Sequence, residues 1–217
     1  MKNIVLITSI IRTPNLPLSY TNTRSVYSPE DRFIQTKYTI ETIKNKIPNS
    51  YIILVECSYL NEDETLYFNN NCNHVINLID TNCKKFIYSP SKAAGEGTMT
   101  IKALEYIMNS NITFDNFFKI SGRYFLNKDF NINHYTNDYN VVKKTDSISI
   151  NTSLYKLNHS FIHHFLHFLK NNYNQMIKCI GYEMLFKQFT DQLSFMKYIN
   201  ILGCSGNIAV SGELVSA

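Results

Sequence analysis

The sequence predicts an α/β fold with a mixed, mainly parallel central sheet flanked by helices. Three observations carry that expectation. Four apolar runs, "NIVLITSII" (3–11), "YIILVEC" (51–57), "HVINLID" (74–80) and "FFKI" (117–120), lack the alternation of a strand with one wet face; such runs suit strands covered on both sides. Helical patterns separate them, giving the order βαβαβαβ that builds a parallel sheet. The 217 residues, 44% hydrophobic and 18% charged, suffice for one domain with a sizeable core.

The elements follow in order. After the first strand comes a polar loop of some twenty residues with Arg12, Pro14, Pro17, Arg24 and Tyr27, a length that in a compact domain marks functional or disordered segments. Ser28-Pro29-Glu30-Asp31 opens a helix, Ser28 as N-cap and Pro29 in the first helical position. Ile40, Ile43 and Ile47 keep one face apolar until Pro48. Asn61-Glu62-Asp63-Glu64 starts a second, acidic-capped helix. "TMTIKALEYIMN" is a third, with Ile101, Leu104 and Met108 on one stripe. Beyond the fourth strand the pattern changes. "NVVKK" (140–144) and "SISINTSLYKL" (147–157) read as antiparallel strands, 160–173 and 182–193 as apolar helices, and "YINILGCSGNIAVSGE" as strand-turn-strand.

Bulk properties exclude several classes. A net charge of +4 with no basic run suits an anionic small molecule, not a nucleic acid. Cys57, Cys72, Cys83, Cys179 and Cys204 are odd in number, far apart and without a CxxC pair; reduced thiols and a cytoplasmic setting are expected. The first apolar run is too short to span a membrane, and no signal-peptide cleavage site follows it.

Ligands of open α/β sheets bind at the carboxyl ends of the strands. That rule selects Thr8-Ser9-Ile10-Ile11-Arg12, Glu56, Asp80, and Ser121-Gly122-Arg123-Tyr124. Arg12 and Arg123 suit phosphate oxygens, or equally a structural carboxylate partner. Asp80-Thr81-Asn82 suits either a divalent cation or a turn. Glu183, after Gly181-Tyr182, reads as a general base aimed at a hydroxyl or as a first-turn carboxylate answering the helix dipole; Asp146 and Glu213 are weaker candidates of the same kind. His163 and His167 lie four apart but lack the Glu of HExxH. Neither GxGxxG nor GxxxxGK[ST] occurs, since Gly95-Glu96-Gly97 lacks the third glycine and follows a loop.

Four segments taken together, "RSVYSPEDRFIQTKYTIETIKNKIP" (24–48), "SKAAGEGTMTIKAL" (91–104), "FFKISGRYFLN" (117–127) and "LGCSGNIAVSGE" (202–213), resemble the small GT-A-type glycosyltransferases of large DNA viruses and bacterial surface-polysaccharide clusters. Among these is the N-terminal domain of a chlorella-virus protein that builds capsid glycans. The resemblance implies a GT-A-like fold with a nucleotide-sugar-binding half over about 1–127 and an acceptor half over about 128–217, open to fusion with further domains. It implies a UDP-sugar donor, a glycan or glycoprotein acceptor, Mn²⁺ or Mg²⁺, and retention of configuration. The donor contacts would be Thr8, Ser9, Ile10, Arg12, Asp80, Lys92, Glu96, Ser121, Gly122 and Arg123, with Arg123, Glu183 and Asp146 as catalytic candidates. The family's Asp-x-Asp maps either to Asp80-Thr81-Asn82, with Asn82 in place of the second acid, or to the fourth strand's tip, where Arg123 would supply the positive charge. Two other readings stand beside it: a GT-A-like module without activity, and a nucleotidyltransferase, disfavoured because no glycine-rich basic loop follows the first strand.

Overall fold

The computed structural model describes residues 2–136 and 138–217. Its first half is β1 (Asn3–Ser9), α1 (Pro29–Lys46), β2 (Ser50–Glu56), α2 (Glu62–Asn71), β3 (His74–Asn77), α3 (Lys84–Ile87), α4 (Lys92–Asn109) and β4 (Asn116–Ser121). The second half is β5 (Tyr124–Leu126), β6 (Asn140–Lys144), β7 (Ile150–Asn158), α5 (Ile162–Asn171), α6 (Tyr173–Ile177), α7 (Tyr182–Thr190), β8 (Met196–Tyr198), β9 (Cys204–Asn207) and β10 (Leu214–Ser216). Seven strands form one sheet in the order β3-β2-β1-β4-β7-β6-β8, and β10-β9-β5 form a small second sheet.

The continuous apolar runs have the expected cause. Ile4 and Leu6 of β1 pack with α4, α5 and α7, while Val5 and Ile7 pack with α1 and α2; successive strand side chains point to opposite faces. β1 pairs in parallel with both β2 and β4, and β7 runs antiparallel to β4. The chain steps outward from β1 to β2 and β3, then crosses back to place β4 on the other side of β1. Strand order reverses there, and a ligand crevice opens at such a point. Thr8 stands opposite Ser121 across it.

Several boundaries differ from the sequence reading. The third strand ends at Asn77, not residue 80: the Asn77 side chain accepts from Ile79 N–H and donates to the Ser58 carbonyl, turning the chain away. The helix expected over 160–173 divides into a short 3-10 turn, α5 and α6. Met108 is exposed, and Ile107 takes the buried position instead. The C-terminal segment supplies three short strands, two of which join β5 in the small sheet. α1 and α2 both start with capping boxes, on Ser28/Asp31 and Asn61/Glu64. No helix among the described residues is long and apolar enough to cross a membrane.

Candidate functional site

A cleft of about 360 Å³ lies at the carboxyl ends of β1 and β4, within the range of small-molecule sites. Its floor is Thr8, Ser9 and Ile10 from β1 and Ser121, Gly122 and Arg123 from β4. Its walls are Arg32 of α1, Lys92 and Glu96 of α4, and loop residues Thr13, Tyr20 and Arg24; Ile208, Ala209 and Val210 close the roof. That roof is fastened to the long loop, since Val26 N–H donates to Ala209 O at 2.8 Å and Tyr27 Oη to Gly212 O at 2.8 Å.

The strand tips are bound to each other and to α1. Gly122 N–H donates to Thr8 O at 2.9 Å. Thr36 Oγ1 lies 3.1 Å from Ser9 Oγ and 3.1 Å from the Gly122 carbonyl. A Cβ on Gly122 would lie 3.0 Å from Ser9 Cβ and 3.1 Å from Thr36 Oγ1, so this glycine lets helix and strands close up. Arg32, one turn before Thr36, is thereby held over the cleft. It is 7% exposed, and it donates to the Ile10 carbonyl and to Ser25 Oγ. No carboxylate pairs with it among the described residues. Burial first, and then the charge of Arg123, push its pKa down to about 9.

The other arginines differ in role. Arg12 is absorbed by structure: its guanidinium forks onto Glu64 at 2.6 and 2.9 Å, and it does not line the cleft. Glu64 also accepts from Asn61 N–H to cap α2. Arg24 donates to the carbonyls of Ile87, Tyr88 and Ser89, fastening the long loop to the end of α3, and burial lowers its pKa. Arg123 is half-buried in the cleft and donates to Asn207 O at 2.7 Å, again without a carboxylate partner among the described residues.

Two further cavities join the cleft at Lys92 and Glu96. One of about 170 Å³ is polar and lined by Lys119, Thr145, Asn151, Thr152, Ser153 and Glu183; another of about 300 Å³ runs past Ser19, Tyr20, Cys179 and Glu183. Lys119, in mid-strand and 1% exposed, forms an ion pair with Glu96 and donates to Thr152 O at 3.3 Å. Burial favours the neutral acid at Glu96, but Lys119, Lys92 and Arg123 outweigh it and hold the pKa low. Lys92 is half-exposed at the edge of the cleft; its crowded surroundings oppose its charge, and the carboxylates of Glu183, 4.0 Å away, and Glu96 outweigh them, so its pKa is raised. Glu183 accepts from Thr152 Oγ1 at 3.3 Å. Across the cleft and the polar cavity, Arg24, Arg32, Lys92, Lys119 and Arg123 face two carboxylates. Lys92 sits at the first position of α4, whose first turn holds no acid; both put positive potential at the junction.

Three other sequence candidates stand apart. Asp80 is exposed in the turn after β3, and neither it nor Asn82 lines the cleft. Asp146 is exposed, its Oδ1 accepting from Ile148 and Ser149 N–H in a turn; those bonds lower its pKa. Glu56 is buried, its Oε1 accepting from Ile11 N–H, Cys57 N–H and Ser58 Oγ. It ties the ends of β1 and β2 together, and burial raises its pKa. The cleft offers a divalent cation few ligands of its own. Hard cations that share substrate phosphates still take one or two protein carboxylates, whereas Glu96 is the one carboxylate lining the cleft among the described residues, and Lys119 holds it. No group of three metal-ligating side chains occurs among the described residues.

Arg32 and Lys119 are the residues the sequence reading missed. Each left a signal: an arginine in the acidic first turn of a helix, and a lone charge inside an apolar strand.

No protein-family model matches the chain, and no curated protein matches it in sequence. Solved structures do. The galactosyltransferase LgtC, crystallised with donor and acceptor sugar analogues, superposes with a TM-score of 0.55 at 8% identity over 91% of this chain and 73% of its own. The CTP:phosphocholine cytidylyltransferase LicC of Streptococcus pneumoniae gives 0.54 at 12% identity over 97% and 95%. The apo-form glycosyltransferase GlyE of Streptococcus pneumoniae TIGR4 gives 0.52 at 8% identity over 92% of this chain and 45% of its own, so this chain spans less than half of GlyE's length. The fold is the mixed α/β architecture that glycosyltransferases and nucleotidyltransferases share.

Proposed function

We propose that the chain is a glycosyltransferase that moves a sugar from a UDP-sugar to a hydroxyl of a glycan or glycoprotein acceptor. The observation that carries this reading is the junction at Lys92 and Glu96, where a donor-sized cleft opens into a polar cavity bearing Glu183. Transfer needs a binding site on each side of the breaking bond, and two connected cavities support that reading. Cations near the diphosphate stabilise the charge that grows as the bond to the anomeric carbon breaks. Glu183 faces the acceptor side, where it would take the hydroxyl proton as the acceptor oxygen attacks that carbon and UDP departs. A carboxylate so placed favours single displacement with inversion over the retention that the family resemblance implies. Surface or capsid glycan synthesis in a cytoplasm is the setting that suits the resemblance.

Nucleotidyl transfer is the second reading, favoured by the near-complete mutual coverage with LicC. Against it, residues 10–17 after β1 contain no glycine, and Arg12, the basic residue there, is bound to Glu64. The two readings leave different products. Incubation with a panel of UDP-sugars and glycan acceptors should release UDP, and Glu183→Gln should lower that rate about 10²-fold or more while leaving UDP affinity within about twofold. Pyrophosphate release from CTP or UTP with a phosphorylated acceptor, and no UDP release from any sugar nucleotide, would replace this reading with the second.

A further inference from the structure

We propose that the cleft holds the donor's diphosphate with arginine and lysine side chains alone, without a divalent cation. This rests on the reading of the cleft as a UDP-sugar site. Neither strand tip carries an acid: Thr8-Ser9-Ile10 and Ser121-Gly122-Arg123 supply hydroxyls, backbone and one guanidinium. Lys119 already answers the charge of Glu96. A divalent cation entering there would meet Arg32, Arg123 and Lys92 with no free carboxylate between them, and like charges in a cleft of lowered dielectric repel strongly.

The same arrangement suits a dianion. Arg32 is a buried guanidinium with five donors; a backbone carbonyl and a serine hydroxyl accept from it, and no carboxylate forms an ion pair with it among the described residues, the buried Glu56 acting on it only from a distance. A guanidinium stays protonated; burial and the charge of Arg123 disfavour that charge at Arg32, with Glu56 opposing them in part, and a bound anion would favour it. Arg123 lies close enough to Arg32 for their charges to act on each other, and guanidinium forks match phosphate oxygens. Lys92, exposed at the start of α4, reaches the same space from the opposite wall.

The test is calorimetric titration of the full chain with UDP, UMP and inorganic pyrophosphate, in EDTA and in parallel with Mn²⁺ or Mg²⁺. UDP should bind in EDTA with an affinity within about threefold of that with metal. Arg123→Ala should weaken UDP in EDTA by about tenfold or more, as expected for losing a charge-assisted contact, and weaken UMP much less. Arg32→Ala risks the fold because Arg32 holds the Ile10 carbonyl, so Lys92→Ala, at an exposed position, serves as the second variant and should also weaken UDP more than UMP. Binding that needs a divalent cation and vanishes in EDTA overturns the proposal and leaves the UDP-sugar reading intact. Failure of UDP to bind in either condition overturns both.

Discussion

Replacing Glu96 with Gln removes the carboxylate that faces the Lys119 ammonium and keeps nearly the same shape. Lys119 is 1% exposed, and its other acceptor is the Thr152 carbonyl at 3.3 Å. Removing one partner of a buried ion pair costs about 3–5 kcal/mol, because the remaining charge is stranded away from water. The glutamine oxygen still accepts one hydrogen bond from Lys119, so the lower end, about 3 kcal/mol, is expected. For a chain of this length about 2–4 °C of Tm goes with each kcal/mol, and the fall should be about 6–12 °C. The pH dependence has a definite sign. The Glu96 carboxyl is held below its ordinary value, burial opposing and Lys119, Lys92 and Arg123 prevailing. Its stabilisation is therefore present above the unfolded value of about 4.3 and is lost as pH falls through the folded one. Urea denaturation should show the gap between wild type and variant at pH 7 and its closing in acid. Lys119→Met added to Glu96→Gln should recover most of the loss, since both charges then leave together. A single variant within about 0.5 kcal/mol of wild type at pH 7, the range of ordinary surface changes, would refute the reasoning.

Two further outcomes are expected. Arg12→Ala should destabilise by about 1–2 kcal/mol through loss of the fork onto Glu64 and leave UDP affinity within about twofold; a tenfold loss of affinity by calorimetry would put Arg12 back among the ligand contacts. Lys156 is buried in β7 and donates to Tyr139 O at 2.7 Å, and burial pushes its pKa down to about 8. Between that value and the unfolded value of about 10.4 the unfolded chain binds the extra proton, so stability contributed by this group should rise with pH. Denaturation series at pH 7.5 and about 9.5 should show that rise and its disappearance in Lys156→Met; equal slopes in both proteins would refute it.

The parallel part of the fold was legible because burial on two faces forces a composition that local reading detects. "NIVLITS" and "YIILVE" are strands in the structure within a residue or two of expectation. The same reading overran at "HVINLID", where a single Asx-type side-chain bond from Asn77 ends the strand although Leu78 and Ile79 stay buried. Apolar content reports burial and not conformation. The C-terminal strands were expected as a strand-turn-strand, but their union with β5 in a second sheet was not, for a related reason: β5, β9 and β10 have three or four residues each, too few to show a period. Their pairing is fixed by contacts distant in sequence, such as Tyr124 opposite Gly206. A Cβ on Gly206 would lie 2.5 Å from the Arg123 carbonyl, so the glycine is a condition of that pairing.

The candidate site's geometry was legible where the strand-end rule reaches and obscure where partners decide. Thr8, Ser9, Ile10, Ser121, Gly122 and Arg123 meet at the cleft because the carboxyl ends of adjacent parallel strands must. The fate of Arg12 depended on Glu64, 52 residues away, and nothing local distinguishes a guanidinium that is already paired from one that is not. Arg32 and Lys119 mark the opposite case. Each breaks a local rule, one by placing a cation where the helix dipole disfavours it, the other by burying a charge in a strand core. The folded chain pairs Lys119 with Glu96 but gives Arg32 no ion-paired carboxylate among the described residues. Local inconsistency without internal compensation is what a site built for a ligand shows in sequence. It separates the charge that the fold pairs from the one proposed to meet the donor's diphosphate.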